Sequence, residues 1–323
     1  MCGIAGYIGK KNLYNSNIIK TLNSMRYRGP DNQSWLKIEK ENFNVYLLHS
    51  RLSIIDLDER SNQPFKFENY TIIFNGEIYN YIEIREKLEK FGYRFLTNSD
   101  TEVLLKAYIE YGENCVHHFN GMWAFAIWDD HKEKLFLSRD RFGEKPLYYL
   151  NENRGLYFGS EVKAVRNLSS KKLSINYNYL KRYLVYGYKF LNKTNETFFN
   201  HLYRLESGTN MILEKNNHKT YKYWRPKIEI NKNLSYNDAL DHARKHFLNS
   251  IELRLRSDVP LAFCLSGGID SASIVSIAKK YFNYDVVTFS IIDKDERYNE
   301  LDNISETIKD LNCDHFLIEL DYK

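Results

Sequence analysis

The hydrophobic pattern of this chain changes character once, near the polar stretch Ile228–Ser235, and that change sets most of what the chain can fold into. Before it, short apolar runs rich in β-branched and aromatic residues repeat. Gly3–Ile8, Asn44–His49, Tyr70–Phe74, Met122–Trp128, Lys134–Ser138 and Leu156–Gly159 read as strands. Helical spacing is confined to Ile18–Met25, to Tyr81–Phe91 with Gly92 as a stop, and to Asp100–Tyr111 with Gly112 as a stop. Many strands with few helices predict an α+β sandwich, packed antiparallel sheets with flanking helices, over residues 2–166. Residues 167–234 read as a connecting region holding a Tyr-rich helix near Tyr177–Tyr186 and strands Asn200–Leu205 and Asn210–Leu213. After the boundary the order is helix Tyr236–Leu255, strand Val259–Leu265, a glycine loop, helix Ala272–Phe282, strand Val286–Ile292, helix Leu301–Leu311 and strand His315–Leu320. Such alternation predicts an α/β doubly wound parallel sheet over residues 235–323. Three strands are few for that architecture, so this domain is expected to be the first part of a larger one, as a fragment, a natural truncation or half of a split enzyme whose partner supplies the rest; a homodimer stays open as well.

Composition excludes several classes. A net charge of +4 spread over 323 residues makes no case for nucleic acid. The longest apolar runs are strand-sized, so no membrane span is expected, and Met-Cys-Gly-Ile-Ala-Gly-Tyr lacks the charged and apolar regions of a signal peptide. The four cysteines, Cys2, Cys115, Cys264 and Cys313, have no paired spacing, which argues against a disulfide scaffold or a zinc site. A reduced, cytoplasmic protein is the expectation.

Two places could carry chemistry. Cys2 follows the initiator Met, and removal of Met1 would leave a cysteine whose own α-amine, ordinarily titrating near pH 8, can act as base for its thiol. Ser266-Gly267-Gly268-Ile269-Asp270-Ser271 lies between a strand and a helix, where glycines and a helix N-terminus turn N–H groups toward a phosphate. No Gly-Lys-Ser/Thr follows, so it is not a Walker loop, nor does it read GxGxxG.

Further motifs follow in order: Arg28-Gly29-Pro30-Asp31, His49-Ser50-Arg51-Leu52-Ser53-Ile54-Ile55-Asp56, Phe74-Asn75-Gly76-Glu77-Ile78-Tyr79-Asn80, Ser99-Asp100-Thr101-Glu102, Arg139-Asp140-Arg141-Phe142-Gly143 with Lys145-Pro146-Leu147-Tyr148-Tyr149, and Phe158-Gly159-Ser160-Glu161. Together with the Cys2 terminus and the Ser266 loop, they resemble the glutamine-hydrolysing asparagine synthetases along the whole chain. Tyr27 departs from the family, which usually has His there. The resemblance implies an N-terminal-nucleophile (Ntn) glutaminase joined to an ATP-pyrophosphatase domain. Glutamine hydrolysed at Cys2 would supply ammonia to an aspartate activated by ATP, with AMP and pyrophosphate released.

Residue roles follow from that resemblance. Asn75 and Gly76 would form the oxyanion hole, although Asn-Gly between apolar strands is also a type I′ hairpin signal. Arg51 would grip the glutamine carboxylate, with the backbone of Leu52, Ser53, Ile54 and Ile55 lining the pocket; a solvated edge arginine is the plainer reading. Asp100 would take the glutamine ammonium with Glu77 near it, while Ser99 and Glu102 read locally as a capping box. Arg139, Asp140 and Arg141 read as a structural ion-pair network. In the second domain Ser266, Gly267, Gly268 and Ser271 would hold pyrophosphate, Asp270 would hold Mg²⁺ or orient the phosphates, and adenine would lie against Cys264, Leu265 and Ile291. ATP enters as a substrate and no prosthetic group is implied. The acceptor pocket is not visible, so amidation of another carboxylate, such as a surface-sugar uronic acid, stays open, as does a regulatory chain without synthetase activity. With half of an ATP site in view, this chain alone is expected to hydrolyse glutamine without making asparagine.

Overall fold

Strict alternation of side chains builds the first part of the molecule. In the computed structural model, which describes residues 1–152, 155–191, 193–214, 217–231, 233–292 and 300–319, the chain forms two compact units, Met1–Lys227 and Ile228–Lys323. The first unit runs β1 (Gly3–Gly9), α1 (Asn15–Met25), β2 (Asn32–Glu39), β3 (Asn44–Arg51), β4 (Phe65–Phe67), β5 (Tyr70–Ile78), α2 (Tyr81–Lys90), α3 (Asp100–Tyr111), β6 (Gly121–Asp129), β7 (Lys134–Arg139), β8 (Tyr148–Glu152), β9 (Gly155–Gly159), α4 (Val162–Ser169), α5 (Tyr177–Tyr186), β10 (Leu202–Arg204), β11 (Thr209–Glu214) and β12 (Asn217–Lys222). Two six-stranded antiparallel sheets result, in the orders β10-β8-β9-β1-β3-β2 and β12-β11-β7-β6-β5-β4.

Each strand divides its side chains between two layers, because successive residues point to opposite faces. Ile4 of β1 and Val45 and Leu47 of β3 meet Ile73, Ala124, Ala126 and Trp128 of the other sheet in the middle of the sandwich. Ala5, Tyr7, Tyr46 and Leu48 face the opposite way and are covered by Ile18, Leu22 and Met25 of α1 and Ala164, Val165 and Leu168 of α4. On the far side Ile72, Phe74, Phe125 and Ile127 are covered by Ile84 and Leu88 of α2 and Val103, Leu104 and Ala107 of α3. The unit is therefore helix, sheet, sheet, helix in section, as the α+β pattern predicts.

The segment expected to be a connector belongs instead to these sheets. β10 pairs with β8, β11 with β7 and β12 with β11, so residues up to Lys222 complete the sheets, and the break between the units falls after Lys227. Its strands are short, and a sequence window cannot tell an edge strand that completes a sheet from a linker strand. Two other expectations change. Asn75-Gly76 is not a hairpin: both lie inside β5, registered against Ala124 and Trp123 of β6. A continuous nine-residue pairing outweighs the local turn preference of two residues. The strand expected at Asn44–His49 runs on to Arg51, and Arg51 is buried rather than solvated.

The capping box at α3 is half formed. Ser99 Oγ accepts from Thr101 N at 3.0 Å, but Glu102 turns away from the cap. It accepts from Thr97 N and Thr97 Oγ1 at 2.7 Å each and from Leu96 N at 3.0 Å, and it pairs with Lys106 at 2.7 Å. Both side chains of the pair are fully buried, and Lys106 also donates to Arg94 O and lies 4.5 Å from the rings of Phe67 and Phe95. Burial works to raise the Glu102 carboxyl, but the bonds from Lys106, Leu96 and Thr97 win and hold it below its usual range. Lys106→Met should therefore strand a buried carboxylate and cost about 3–5 kcal/mol. All four tryptophans (Trp35, Trp123, Trp128, Trp224) lie in the first unit, so its fluorescence-detected denaturation midpoint reads this loss, and an unchanged midpoint would contradict it.

The second unit runs α6 (Tyr236–Arg254), β13 (Ala262–Cys264), α7 (Ile269–Ser276), β14 (Val287–Ile292), α8 (Leu301–Leu311) and β15 (Asp314–Glu319). Its sheet, β13-β14-β15, is parallel throughout, as the alternation predicts. α7 begins at Ile269, directly on the glycine loop, and passes into a π-helical turn at Ile277–Tyr281. The expected strand end at Leu320 lies outside the described residues. Among the described residues no helix is long and apolar enough to cross a membrane.

Candidate active site

Cys2 stands just before β1, which lies between β9 and β3. Arg28 Nε donates to the Cys2 carbonyl at 2.9 Å, and Cys2 Sγ lies 3.4 Å from Leu52 N and 3.5 Å from Leu52 O. Burial pushes the thiol pKa up. The Leu52 N–H and the α-amine pull it down, Asp100 adds to the rise, and Arg51 opposes it.

β5 forms the facing wall. Alternation sends Ile73, Asn75 and Glu77 toward the first sheet and Ile72, Phe74 and Ile78 toward α2 and α3. β4 pairs only with Tyr70, Thr71 and Ile72, so beyond them one edge of β5 has no neighbouring strand. Side chains occupy that edge instead. Phe74 N donates to Gln63 Oε1 at 2.6 Å, Phe74 O lies 3.0 Å from His49 Nε2, and Ile78 N donates to Asp100 Oδ2 at 2.9 Å. Burial drives His49 down to about 3, so its ring is neutral and donates Nε2–H to Phe74 O. Gly76 lies between Phe74 and Ile78, and by the same alternation its N–H leaves the sheet on this edge. A Cβ at Gly76 would sit 2.1 Å from Met122 O, so the close approach of β6 admits no side chain there.

One cleft collects these residues. Cys2, Arg51, Leu52, Ile54, Ile55, Asn75, Gly76, Glu77 and Asp100 all line it. Ser53 does not: its N–H is taken by Asp31 Oδ2 at 2.7 Å, away from the lining. Asn75 is 1% exposed, and neither atom of its carboxamide has a partner. Buried amides are ordinarily bonded, so an orphan facing a cleft is held ready for something that enters. Arg51 donates Nη1 to Asp58 O and Asn62 Oδ1, both at 2.9 Å, and Nη2 to Asp56 O. Three of five donors are thus spent on the 56–62 turn, which leaves Nε and one Nη2 hydrogen. Burial raises Asp100 to about 7, against the pull of its bond from Ile78 N, and burial also raises Glu77 against the pull of Lys145. A cation fork, two carboxylates, a thiol and orphaned donors in one cleft can hold a zwitterionic amino acid and attack a carbonyl on it.

Sequence reasoning missed Lys145, Gln63, Ser99 and Thr101 as lining residues. The signal for Lys145 was its place in the Arg139–Tyr149 motif. Arg139, Asp140 and Arg141 do not form the expected ion-pair network; they grip backbone. Arg139 donates to Lys145 O, Leu205 O and Gly143 O, Asp140 accepts from Phe142, Glu144 and Lys145 N–H groups, and Arg141 donates to Phe119 O. Carbonyls and N–H groups of a reversing loop lie nearer than other charges and need partners once buried.

In the second unit the glycine loop is closed by its serines. Ser271 Oγ accepts from Ser266 N at 3.1 Å, lies 3.1 Å from Ser266 Oγ and donates to Gly268 O at 3.1 Å. Gly267 has φ +72°, a left-handed conformation that favours glycine. Gly268 is the N-cap of α7 and supplies no side-chain cap, which leaves the first N–H groups of the helix for a ligand. Asp270 sits in that first turn. Cys264 and Ile291 are exposed on the same face of the sheet, in register with and two residues beyond Phe289, whereas the Leu265 side chain is buried against Val275 and offers a ligand only its backbone.

A family model described as a glutamine amidotransferase domain matches residues 1–224, and one described as asparagine synthase matches residues 242–323. The chain belongs to the glutamine amidotransferase family. Asparagine synthetase [glutamine-hydrolyzing] 1 of Bacillus subtilis is 37% identical over 323 residues, covering 98% of this chain and 49% of that protein. Asparagine synthetase [glutamine-hydrolyzing] 3 of the same organism is 34% identical over 290 residues, covering 87% and 46%. The chain spans about half the length of the curated relatives it matches. Among solved structures, glutamine phosphoribosylpyrophosphate amidotransferase from B. subtilis, complexed with ADP and GMP, aligns with a TM-score of 0.51 at 16% identity, covering 89% of this chain and 65% of that one. This likeness is one of fold.

Proposed function

We propose that the first unit hydrolyses L-glutamine with Cys2 as nucleophile and that the chain acts as part of a glutamine-hydrolysing asparagine synthetase. The observation that carries this reading is the orphaned Asn75 amide beside the outward Gly76 N–H, in the cleft that Cys2 lines. In the chain as it stands the α-amine is that of Met1, lowered by burial. Removal of Met1 hands the amine to Cys2, where it takes the thiol proton. The thiolate attacks the glutamine carboxamide carbon, and Asn75 Nδ2 and Gly76 N–H receive the developing oxyanion. The amine returns its proton to the departing ammonia, and water then cleaves the thioester to glutamate. The Arg51 fork takes the substrate carboxylate, and Asp100 with Glu77 takes its ammonium.

In the second unit the Ser266–Ser271 loop and the start of α7 would hold the pyrophosphate of ATP while an aspartate carboxylate is adenylated. Ammonia would then displace AMP. Among the described residues no cluster of three metal-ligating side chains exists, and the carboxylate of Asp270 in the first turn of α7 fits Mg²⁺ held jointly with phosphates. Such an ion would neutralise phosphate charge. A thiol nucleophile and free cysteines at all four positions suit a reduced, cytoplasmic setting.

The test is glutamate release from glutamine by purified chain whose Met1 is shown by mass to be removed. Binding adds a signature. Asp100 titrates near 7 in the free cleft and must be ionised to hold the substrate ammonium. Glutamine affinity of the Cys2→Ala variant should therefore fall toward about tenfold per pH unit below that point, and Asp100→Asn should flatten the dependence. No glutamate release, or calorimetric binding that is flat with pH, would overturn the reading.

A further inference from the structure

Lys145 is 5% exposed and lines the cleft with Cys2 and Glu77. Among the described residues lining the cleft it is the one cationic side chain whose head group makes no hydrogen bond or ion pair. Arg51 is bound to the 56–62 turn, and Arg28, close by, is spent on Cys2 O and on Glu161 at 3.6 Å. A buried, unpaired ammonium is costly, so the fold must hold it there by other means. It does so through the backbone. Asp140 Oδ2 accepts from Lys145 N at 2.9 Å and Asp140 Oδ1 from Phe142 N and Glu144 N, while Arg139 Nε donates to Lys145 O at 2.7 Å. Two buried charged side chains are thus used to turn the loop and deliver Lys145 to the cleft wall.

We propose that Lys145 is a positioning residue whose ammonium, held at the cleft wall beside Cys2 and Glu77, stabilises the Cys2 thiolate as it forms and the Glu77 carboxylate. This rests on the glutaminase reading above. The groups facing it are Cys2 and the α-amine at β1, Glu77 on β5 and Glu144 in its own loop, with Arg28 after α1 as a competing cation. Asp100 at the start of α3 and Arg51 at the end of β3 complete the charges around Cys2. Burial favours a neutral thiol and a protonated Glu77; Lys145 pulls Glu77 down, and Glu77 and Cys2 in turn hold Lys145 up against its own burial. No covalent step is assigned to Lys145. Its charge stabilises the thiolate formed when the amine takes the thiol proton, and it leaves Glu77 charged for the substrate ammonium while Asp100 is partly protonated.

The experiment is iodoacetamide alkylation of Cys2 against pH, in chain lacking Met1, read by mass spectrometry on the peptide that carries it. Lys145→Met should move the midpoint up by about one unit or more and slow alkylation about tenfold at neutral pH, and Lys145→Arg should restore most of it. The pH profile of kcat/KM should shift the same way. Tryptophan fluorescence checks the fold, and Lys145→Gln replaces a variant that unfolds. An unchanged alkylation profile in a folded Lys145→Met chain would overturn the proposal, as would failure of Lys145→Arg to restore it. If Cys2→Ala retained hydrolysis, the glutaminase reading would fail instead, and the alkylation profile would still report the coupling of Lys145 to Cys2.

Discussion

Cys2→Ala should lower glutamine hydrolysis by at least about 10⁴-fold while leaving glutamine binding in place. The thiol is the single nucleophile in a cleft whose other polar groups bind or donate. The Arg51 fork, Asp100 and Glu77 remain to hold the substrate, so the loss should appear in kcat. The Cys2 thiol makes only long contacts, to Leu52 at 3.4 and 3.5 Å, and the Arg28 bond to the Cys2 carbonyl survives the change, so the denaturation midpoint should hardly move. A companion experiment separates nucleophile from base. Chain that keeps Met1 retains the thiol, but the amide now at Cys2 N cannot accept a proton, and burial keeps the thiol neutral at physiological pH. Its activity should also be lost, by about 10²-fold or more. Full turnover by chain shown by mass to retain Met1 would rule out the terminal amine as base.

Asn75→Ala should lower kcat by about 10²–10³-fold, with glutamine affinity nearly unchanged. The expectation rests on what the side chain does not do in the fold. Neither of its polar atoms is bonded, so truncation leaves no protein group without a partner. Stability should hold or rise slightly, since a buried unsatisfied amide is removed from between the sheets. The donor matters only when an oxyanion forms, so the effect belongs to the transition state and not to the bound substrate. Asn75→Asp provides a control of nearly equal size: it keeps the volume, removes the donor and adds negative charge where negative charge develops. Its kcat should fall at least as far. A rise in KM with kcat intact, in either variant, would show that Asn75 binds substrate and would move the oxyanion role elsewhere.

Much of this was legible in the chain. α3, α5 and α8 begin and end where the apolar period puts them, with Gly112 as the stop of α3, because those signals are local. The strands missed were β2, β8 and β12, together with the short β4. β2 reads Asn-Gln-Ser-Trp-Leu-Lys-Ile-Glu and lies at a sheet edge, where one face is wet and the apolar signal is thin. Asn75-Gly76 shows the opposite failure: a strong local turn signal overridden by pairing with a strand some fifty residues away in the chain. Glu102 read as a cap and became half of a buried pair, because Lys106 one turn along the helix was carried into the same apolar wall.

The residue types needed for the chemistry, and the strand–loop–helix setting of the Ser266 loop, are properties of short stretches of chain, and short stretches obey propensity and period. Which of those residues meet is a property of the sandwich. Cys2, Arg51, Asn75, Asp100 and Lys145 are far apart in sequence and share one cleft because two sheets pack face to face and leave one edge of β5 uncovered. The same packing excluded Ser53 and brought in Lys145 on a loop folded by Arg139 and Asp140. Contacts of that separation carry no local signal, since they are selected by how whole faces bury their apolar residues, and only the assembled fold contains them.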